Sequence, residues 1–243
     1  MIAIFRKEFA SFFNGPVGYL VMGTFLILSG LFLWVFKGPF NVLEYGFADL
    51  SLFFLLAPWA FLLLIPALSM RSFSEERKLG TLELLLSKPI PLRNLVFGKF
   101  LGVLALAFLS ILPTLFYVYT IRELGMEPGN LDMGLVWGSY LGLLLLMGAY
   151  AAIGVFASSL TENQVAAFLT GLFLCFLMYF GFDGLAGLLS DGNLSLGVSE
   201  LGFKAHYENI SQGVLDSRDA VYFLSVTLFF LFLTAVQINR LRQ

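Results

Sequence analysis

Long uninterrupted runs of apolar residues are the feature that most constrains this sequence. Six runs each have about the 20 residues that a helix needs to cross a bilayer. They lie at 16–36, 50–70, 100–119, 133–156, 165–182 and 220–236. A backbone in lipid must satisfy its own hydrogen bonds, and a helix does so within one segment. The sequence therefore predicts an all-α, polytopic membrane protein with about six transmembrane helices, in which 1–243 is a single transmembrane domain.

The composition excludes a soluble fold. The chain is long enough for one or two soluble domains, but 59% of its residues are hydrophobic and 12% are charged. Soluble domains carry about 25% charged residues, so this chain has too little polar surface to face water. The first apolar run is too long for a signal-peptide core, and we expect it to be retained as a span. The single cysteine, Cys175, lies in an apolar run, which predicts a buried, inert thiol and no intrachain disulfide.

The distribution of lysine and arginine predicts the orientation, because basic residues near span ends favour the cytoplasmic side. With six spans, one side holds both termini and the loops 71–99 and 158–164. This side carries ten of the 14 basic residues: Arg6, Lys7, Arg71, Arg77, Lys78, Lys88, Arg93, Lys99, Arg240 and Arg242. The other side carries Lys37, Arg122, Lys204 and Arg218. We therefore expect both termini in the cytoplasm, and an N-terminal helix at the cytoplasmic interface, where Phe5, Phe9, Phe12 and Phe13 share one face.

Few residues here could do chemistry. No charge lies near the middle of a predicted span, whereas ion-coupled carriers need such groups despite their cost. A phosphate-binding loop, a Gly-x-Ser-x-Gly motif and a His-Glu-x-x-His motif are all missing from the sequence. The lone histidine, His206, is a poor metal candidate. The sequence therefore predicts no enzyme activity, no catalytic residue, no metal, no cofactor and no nucleic-acid partner, and it leaves the energy source outside the chain.

The polar stretch 71–99, here called the coupling segment, interrupts the apolar runs. Ser72 and Glu75 fit a capping box at a helix start, and Gly80 divides the segment into two short helices. Four leucines, Leu79, Leu82, Leu85 and Leu86, recur at helical spacing and predict one apolar face. Lys88 and Pro89 predict the helix end. Two interpretations stay open: a solvated loop with one interfacial helix, or a rigid element that receives force from a partner.

Residues 75–89 read EERKLGTLELLLSKP, and Gly98-Lys99 precedes the third span. This pattern resembles the cytoplasmic signature of ABC-2 type transporter permeases: an acidic/basic pair, Gly-Thr-Leu-Glu, a leucine run, a proline, and Gly-Lys entering the third span. The number of spans and the predicted position of the termini resemble that family over the whole chain.

Three further stretches resemble the same family. Residues 5–9, FRKEF, resemble its N-terminal Lys-Glu-Phe element, and residues 158–164, SSLTENQ, resemble its short turn between spans four and five. The stretch 206–223 resembles the segment before the last span in the subgroup that contains gliding-motility-associated ABC transporter permease subunits. Relatives in that subgroup are associated with copper-site maturation or sodium export.

The resemblance implies a permease that pairs with a copy of itself or with a second permease, contacts membrane lipid, and binds a separate ATP-binding-cassette ATPase on the cytoplasmic side of the inner membrane. The implied ATPase-coupling residues are Glu75, Glu76, Arg77, Gly80, Thr81 and Glu83, with Glu76 and Arg77 as polar contacts. The implied anchors of the coupling helix are Leu82, Leu85 and Leu86. Solvation or ordinary packing is the alternative role for each of these residues.

The remaining expectations concern the cargo and the outer loop, 183–218. The resemblance implies short helices in this loop that re-enter the membrane, and Asp216 and Asp219 are typical of helix capping. Spans rich in Phe, Leu and Gly favour a lipid-like, polymeric or amphipathic cargo over an ion. Two other functions are weighed against an exporter: a membrane anchoring or assembly subunit of a motility or secretion machine without translocation, and an intramembrane enzyme.

Overall fold

A computed structural model of the chain describes residues 1–47, 49–88, 90–125, 131–189, 191–214 and 216–241. Every regular element within those ranges is helical. Six helical stretches among them are long and apolar enough to cross a membrane. They are Val17–Val35, Ser51–Lys78, Leu92–Leu124, Met133–Leu160, Gln164–Ala186 and Ser217–Arg240. The predicted all-α polytopic membrane fold is confirmed. Pro89 and Arg242, which contributed to the sequence arguments, lie outside the described residues.

The first half of the chain contains the N-terminal helix, three spans and the coupling segment. The helices are α1 (Ile2–Asn14), α2 (Val17–Gly30), α3 (Val42–Tyr45), α4 (Ser51–Ser69), α5 (Arg71–Lys78), α6 (Thr81–Leu86), α7 (Leu92–Ile111) and α8 (Leu115–Leu124). A π-helical segment, Leu31–Val35, extends α2. A short 3₁₀ turn, Leu112–Thr114, separates α7 from α8. Pro113 lies in that turn, because its ring nitrogen has no hydrogen to donate to an α-helical ladder.

The second half contains three spans and the outer loop. The helices are α9 (Met133–Leu160), α10 (Gln164–Phe176), α11 (Phe182–Ala186), α12 (Gly192–Ser199), α13 (Phe203–Ser211) and α14 (Ser217–Arg240). A π-helical segment, Leu177–Gly181, joins α10 to α11. The outer loop thus holds short helices, as the resemblance implied.

The fourth span, α9, is the centre of the bundle, with α4, α7, α10, α13 and α14 packed around it. Its buried positions include many small residues, among them Ala149, Ala151, Ala152 and Gly154. Small side chains let neighbouring helix backbones approach closely in a membrane. The Gly154 position illustrates this, because a Cβ built there would lie 2.9 Å from the Cβ of Ser69 on α4.

The predicted caps before the last span differ from each other. Asp216 caps α14, since its carboxylate accepts a hydrogen bond of 2.9 Å from the backbone N–H of Arg218. The expectation for Asp219 was wrong. This residue lies inside the first turn of α14, and its Oδ1 lies 2.5 Å from Nδ1 of His206 on α13. The His206 ring also stacks on Tyr222 at 3.9 Å between centroids. These contacts pin α13 to the start of the last span.

Candidate functional site

The candidate site is the helical elbow at the end of span two, where α4, α5 and α6 follow one another. Met70 joins α4 to α5 with right-handed helical backbone angles, so α5 continues directly from the span. Gly80 ends this stretch with φ +68°, a left-handed conformation that costs any other residue more than it costs glycine. The two short helices predicted around Gly80 are present. Thr81 supports the turn, because its hydroxyl donates to the carbonyl of Glu76 at 3.3 Å.

The predicted capping box of Ser72 and Glu75 does not form. Ser72 is buried inside the helix and its hydroxyl has no hydrogen-bond partner among the described atoms. In the first turn of α5, the backbone N–H groups of Phe73 and Ser74 both donate to the hydroxyl of Ser158 on α9, at 2.9 and 3.1 Å. The Ser158 hydroxyl in turn donates to the carbonyl of Met70 at 2.9 Å. The cap of α5 therefore comes from span four and not from its own sequence.

Arg77 ties the same helix to the turn between spans four and five. Its Nη1 donates to the carbonyl of Ser159 at 2.8 Å, and its Nη2 lies 3.4 Å from the carboxylate of Glu162. The Arg77 side chain is only 16% exposed. This residue is therefore engaged within the chain. Glu75 forms a bidentate salt bridge with Arg71, whose guanidinium donates to the two carboxylate oxygens at 2.9 and 3.0 Å.

Glu76 belongs to a buried group of charges centred on Lys99 of α7. The ammonium of Lys99 lies 2.8 Å from Oε1 of Glu8 on α1 and 3.0 Å from Oε2 of Glu76 on α5. It also donates to the carbonyl of Ser72 at 2.5 Å. Lys7 adds a second cation, 3.3 Å from Oε1 of Glu76. We call Lys99, Glu8, Glu76 and Lys7, together with the Ser72 carbonyl, the Lys99 cluster.

Burial makes the Lys99 cluster an energetically sensitive part of the elbow. The side chains of Lys99, Glu76 and Glu8 are 1%, 14% and 13% exposed. A charge this far from water is tolerated only when partners compensate for its lost hydration. Here two lysines face two glutamates, so the formal charges cancel. The ring of Phe73 also lies under the Lys99 ammonium, 5.0 Å from its centroid, which adds a cation–π contact.

Two glycines allow α1 to lie close enough to α7 for these contacts. A Cβ at Gly98 would lie 2.8 Å from Cγ2 of Ile4, and a Cβ at Gly102 would lie 2.9 Å from the Cβ of Glu8. Separations below 3.0 Å would force the helices apart. The Gly98-Lys99 pair thus has a physical basis. Gly98 leaves room for α1 to pack closely against α7, and Lys99 forms a salt bridge with Glu8 of α1.

The leucines of the elbow divide between anchors and surface. Leu82 and Leu86 are buried at 4% and 8% exposure, and Leu85 is half-buried. These three leucines are the predicted anchors of the coupling helix, and that role stays a prediction. The expectation for Leu79 was wrong: it is 67% exposed, because the left-handed turn at Gly80 places it on a different helix axis from the other three. Leu84 is also exposed, at 68%.

The exposed surface of the elbow is therefore distinct from its internal contacts. Its members are Lys78, Leu79, Gly80, Thr81, Glu83, Leu84, Ser87 and Lys88; we call this set the elbow surface. Of the predicted coupling residues, Gly80, Thr81 and Glu83 lie on it, while Glu76 and Arg77 bind α1, α7 and α9 from behind it. A rigid surface backed by buried polar contacts can pass a displacement to three other helices.

Sequence reasoning missed the Lys99 cluster and the Ser158 cap as units. Most of their residues come from four stretches, 5–9, 75–89, 98–99 and 158–164, which the sequence shows only as separate elements. The available signal was a lysine beside a Gly-x-x-x-Gly spacing, Gly98 and Gly102, directly before the third apolar run. Such a lysine requires an acidic partner from another element.

A sequence model described as ABC-2 family transporter protein matches residues 43–238, which is most of the chain and includes the whole elbow. No curated protein matches the sequence significantly.

Proposed function

Because this chain belongs to the ABC-2 transporter family, we propose that it uses ATP hydrolysed by a separate cassette subunit to export a cargo. The chain itself is a multi-pass permease subunit of an ABC transporter. The observation that carries the proposal is the construction of the elbow. Its surface is exposed, while buried polar contacts join it to the N-terminal helix and to spans three and four.

The proposed docking site for the ATPase is the elbow surface. Leu79 and Leu84 expose about two thirds of their area, and apolar side chains near Glu83 and Lys78 form the mixed patch that is typical of protein interfaces. Glu76 and Arg77 are assigned a positioning role, because their side chains already bind within the chain. Movement of the docked ATPase would then shift α5, and the shift would pass to α1, α7 and α9.

In the proposed orientation, the elbow and both termini lie on the cytoplasmic side of a bacterial-type inner membrane. The excess of lysine and arginine on that side supports it. A permease of this size also needs a second membrane subunit to enclose a path, and we propose a dimer with a copy of this chain or with a related permease. Membrane lipid would cover the remaining apolar faces.

The test is capture of the ATPase by the elbow surface. The chain would carry a C-terminal tag and be co-expressed with the cassette ATPase encoded beside it. We expect stoichiometric co-elution with wild type and loss of it with Leu84→Asp, because a charge would enter the apolar contact. Leu188→Asp is the matched control, since Leu188 is also an exposed leucine (81%, against 68% for Leu84) but lies in the outer loop.

The outcomes separate the permease from the anchoring alternative. If the Leu79→Asp/Leu84→Asp double variant still captures the ATPase, the elbow surface is not the docking site. Failure of folded wild type to capture any cassette ATPase of the same genome would leave the anchoring or assembly function. The double change Glu76→Ala/Arg77→Ala does not test ATPase docking, because it breaks contacts within the chain and would destabilise the elbow itself.

The finer proposal, a role in gliding motility, rests on the resemblance of 206–223. In the structure this stretch is the packed unit of α13 and the start of α14, in which His206 contacts Asp219 and Tyr222. Deletion of the gene should abolish surface gliding, and the wild-type gene should restore it where the Leu84→Asp gene does not. Normal gliding of the deletion strain would exclude this role.

A further inference from the structure

A second feature of interest is a partly open cavity at the end of α4 opposite the elbow. Its volume is about 270 Å³. It lies between the first turn of α4, the π-helical segment Leu177–Gly181 and α13. The 19 residues of α4 separate it from the elbow, which is about 28 Å of helix. The cavity is thus independent of the proposed ATPase contact.

The cavity contains one carboxylate, that of Glu208 on α13. Among the described residues, Glu208 forms no ion pair and its carboxylate accepts no hydrogen bond. Lys204, one turn earlier on the same helix, is engaged elsewhere, because its ammonium lies 2.7 Å from the carboxylate of Asp183. That hydrogen bond raises the pKa of Lys204, so the lysine stays charged and paired. Lys204 is therefore close enough to Glu208 to feel its charge but is paired with Asp183. A half-buried carboxylate that forms no ion pair among the described residues favours a positively charged occupant.

Aromatic side chains form much of the wall around Glu208, beside the polar residues Ser51, Ser211 and Gln212. Tyr45, Phe54, Tyr179 and Tyr207 all line the cavity. Two of them are fixed in place: the hydroxyl of Tyr207 donates to the carbonyl of Phe54 at 2.7 Å, and Tyr179 is 4% exposed. Aromatic rings attract cations through their electron-rich faces, and most strongly where water is excluded.

The backbone at Tyr179 is also unusual. This residue lies in the π-helical segment Leu177–Gly181, and short π-helical segments inside α-helices occur frequently at functional sites. The segment packs against α13, which carries Tyr207 and Glu208. The irregular turn therefore lies where the carboxylate and the aromatic walls meet.

We propose that this cavity binds an organic cation: an ammonium group carried on a compact apolar body. Glu208 pairs with the ammonium, and the four aromatic side chains surround the apolar body. The volume lies just below the 300–1,000 Å³ typical of drug-sized ligands, so the ligand is small. The ammonium that Glu208 would bind can come from a free amphipathic amine or from the headgroup of phosphatidylethanolamine.

The test is a titration of the full chain in lipid nanodiscs of phosphatidylglycerol alone, which contain no amine. The probe is 2-phenylethylammonium, compared with neutral 2-phenylethanol, and the heat of binding is corrected with empty nanodiscs. We expect saturable binding of one amine per chain and about tenfold weaker binding of the alcohol, as for the loss of one charge-assisted contact. Glu208→Gln should weaken amine binding by the same factor of about ten.

Two further variants keep the result interpretable. Glu200→Gln is the matched control, because Glu200 is an exposed carboxylate near the same end of the bundle, and its amine affinity should equal that of wild type. Tyr45→Leu removes a half-exposed wall residue and should cost about two- to fivefold in affinity, even if Glu208→Gln folds poorly. Equal affinity for amine and alcohol, or wild-type affinity in both Glu208→Gln and Tyr45→Leu, would overturn the proposal.

The lipid composition distinguishes the two sources of the ammonium. In nanodiscs that contain phosphatidylethanolamine, a lipid occupant would raise the apparent Kd of the amine for wild type but not for Glu208→Gln. An unchanged Kd would identify the free amine as the ligand. The titration needs no ATPase, so its failure would leave the proposed permease function untouched.

Discussion

Replacing Lys99 by methionine tests how the elbow is joined to the membrane helices. Methionine keeps the apolar length of the side chain and removes the charge, so packing changes little. The change leaves Glu8 and Glu76 close together and mostly buried, with Lys7 as the one remaining cation of the cluster, and Lys7 is 65% exposed. It also leaves the carbonyl of Ser72 without its lysine donor.

The magnitude follows from the burial of the ion pair. Removing one partner of a buried pair costs about 3–5 kcal/mol, since the other charge stays uncompensated. In a protein of this size each kcal/mol lowers the melting temperature by about 2–4 °C. We therefore expect Lys99→Met to melt about 6–20 °C below wild type.

The chain supplies its own probe for this measurement. Cys175 is the single cysteine and is fully buried, so a thiol-reactive fluorogenic dye would report unfolding of the purified protein in detergent. Lys88→Met is the matched control, because Lys88 is exposed on the same segment. Adding Glu8→Gln and Glu76→Gln to Lys99→Met should recover most of the loss, because no unpaired buried charge then remains. If Lys99→Met melts together with Lys88→Met, the reasoning on the Lys99 cluster is refuted.

Two further changes test the geometry of the elbow. Gly80→Ala places a Cβ at φ +68° and should cost about 1–2 kcal/mol, seen as a lower melting temperature in the same dye assay. Gly23→Ala, in ordinary helix with open space around it, should not destabilise, and equal melting of the two would contradict the turn. Ser158→Ala leaves the N–H groups of Phe73 and Ser74 unpaired and should cost about 1–3 kcal/mol. Ser87→Ala, at an exposed position, should be near neutral; if it costs as much, Ser158 is not the cap.

The sequence by itself determined the membrane fold and the approximate places of its six long helices. An unbroken apolar run of about 20 residues has the length of a membrane-spanning helix, which satisfies its backbone hydrogen bonds within the segment, so this inference needs no knowledge of packing. The helix break at Gly80 also follows from the local sequence, because glycine, which has no side chain, adopts a left-handed turn most readily. The family resemblance also lay in contiguous stretches, and the family match over 43–238 agrees with it.

Only the tertiary structure decided which of those stretches act together. Glu8, Glu76 and Lys99 are separated by tens of residues, and their pairing depends on how closely α1 approaches Gly98 and Gly102. The cap of α5 likewise came from Ser158 on α9, where local reasoning expected Ser72. The cavity around Glu208 gathers residues from α3, α4, α13 and a π-helical turn. Charge pairing, capping and cavity walls depend on distances between helices, and a linear pattern does not contain those distances.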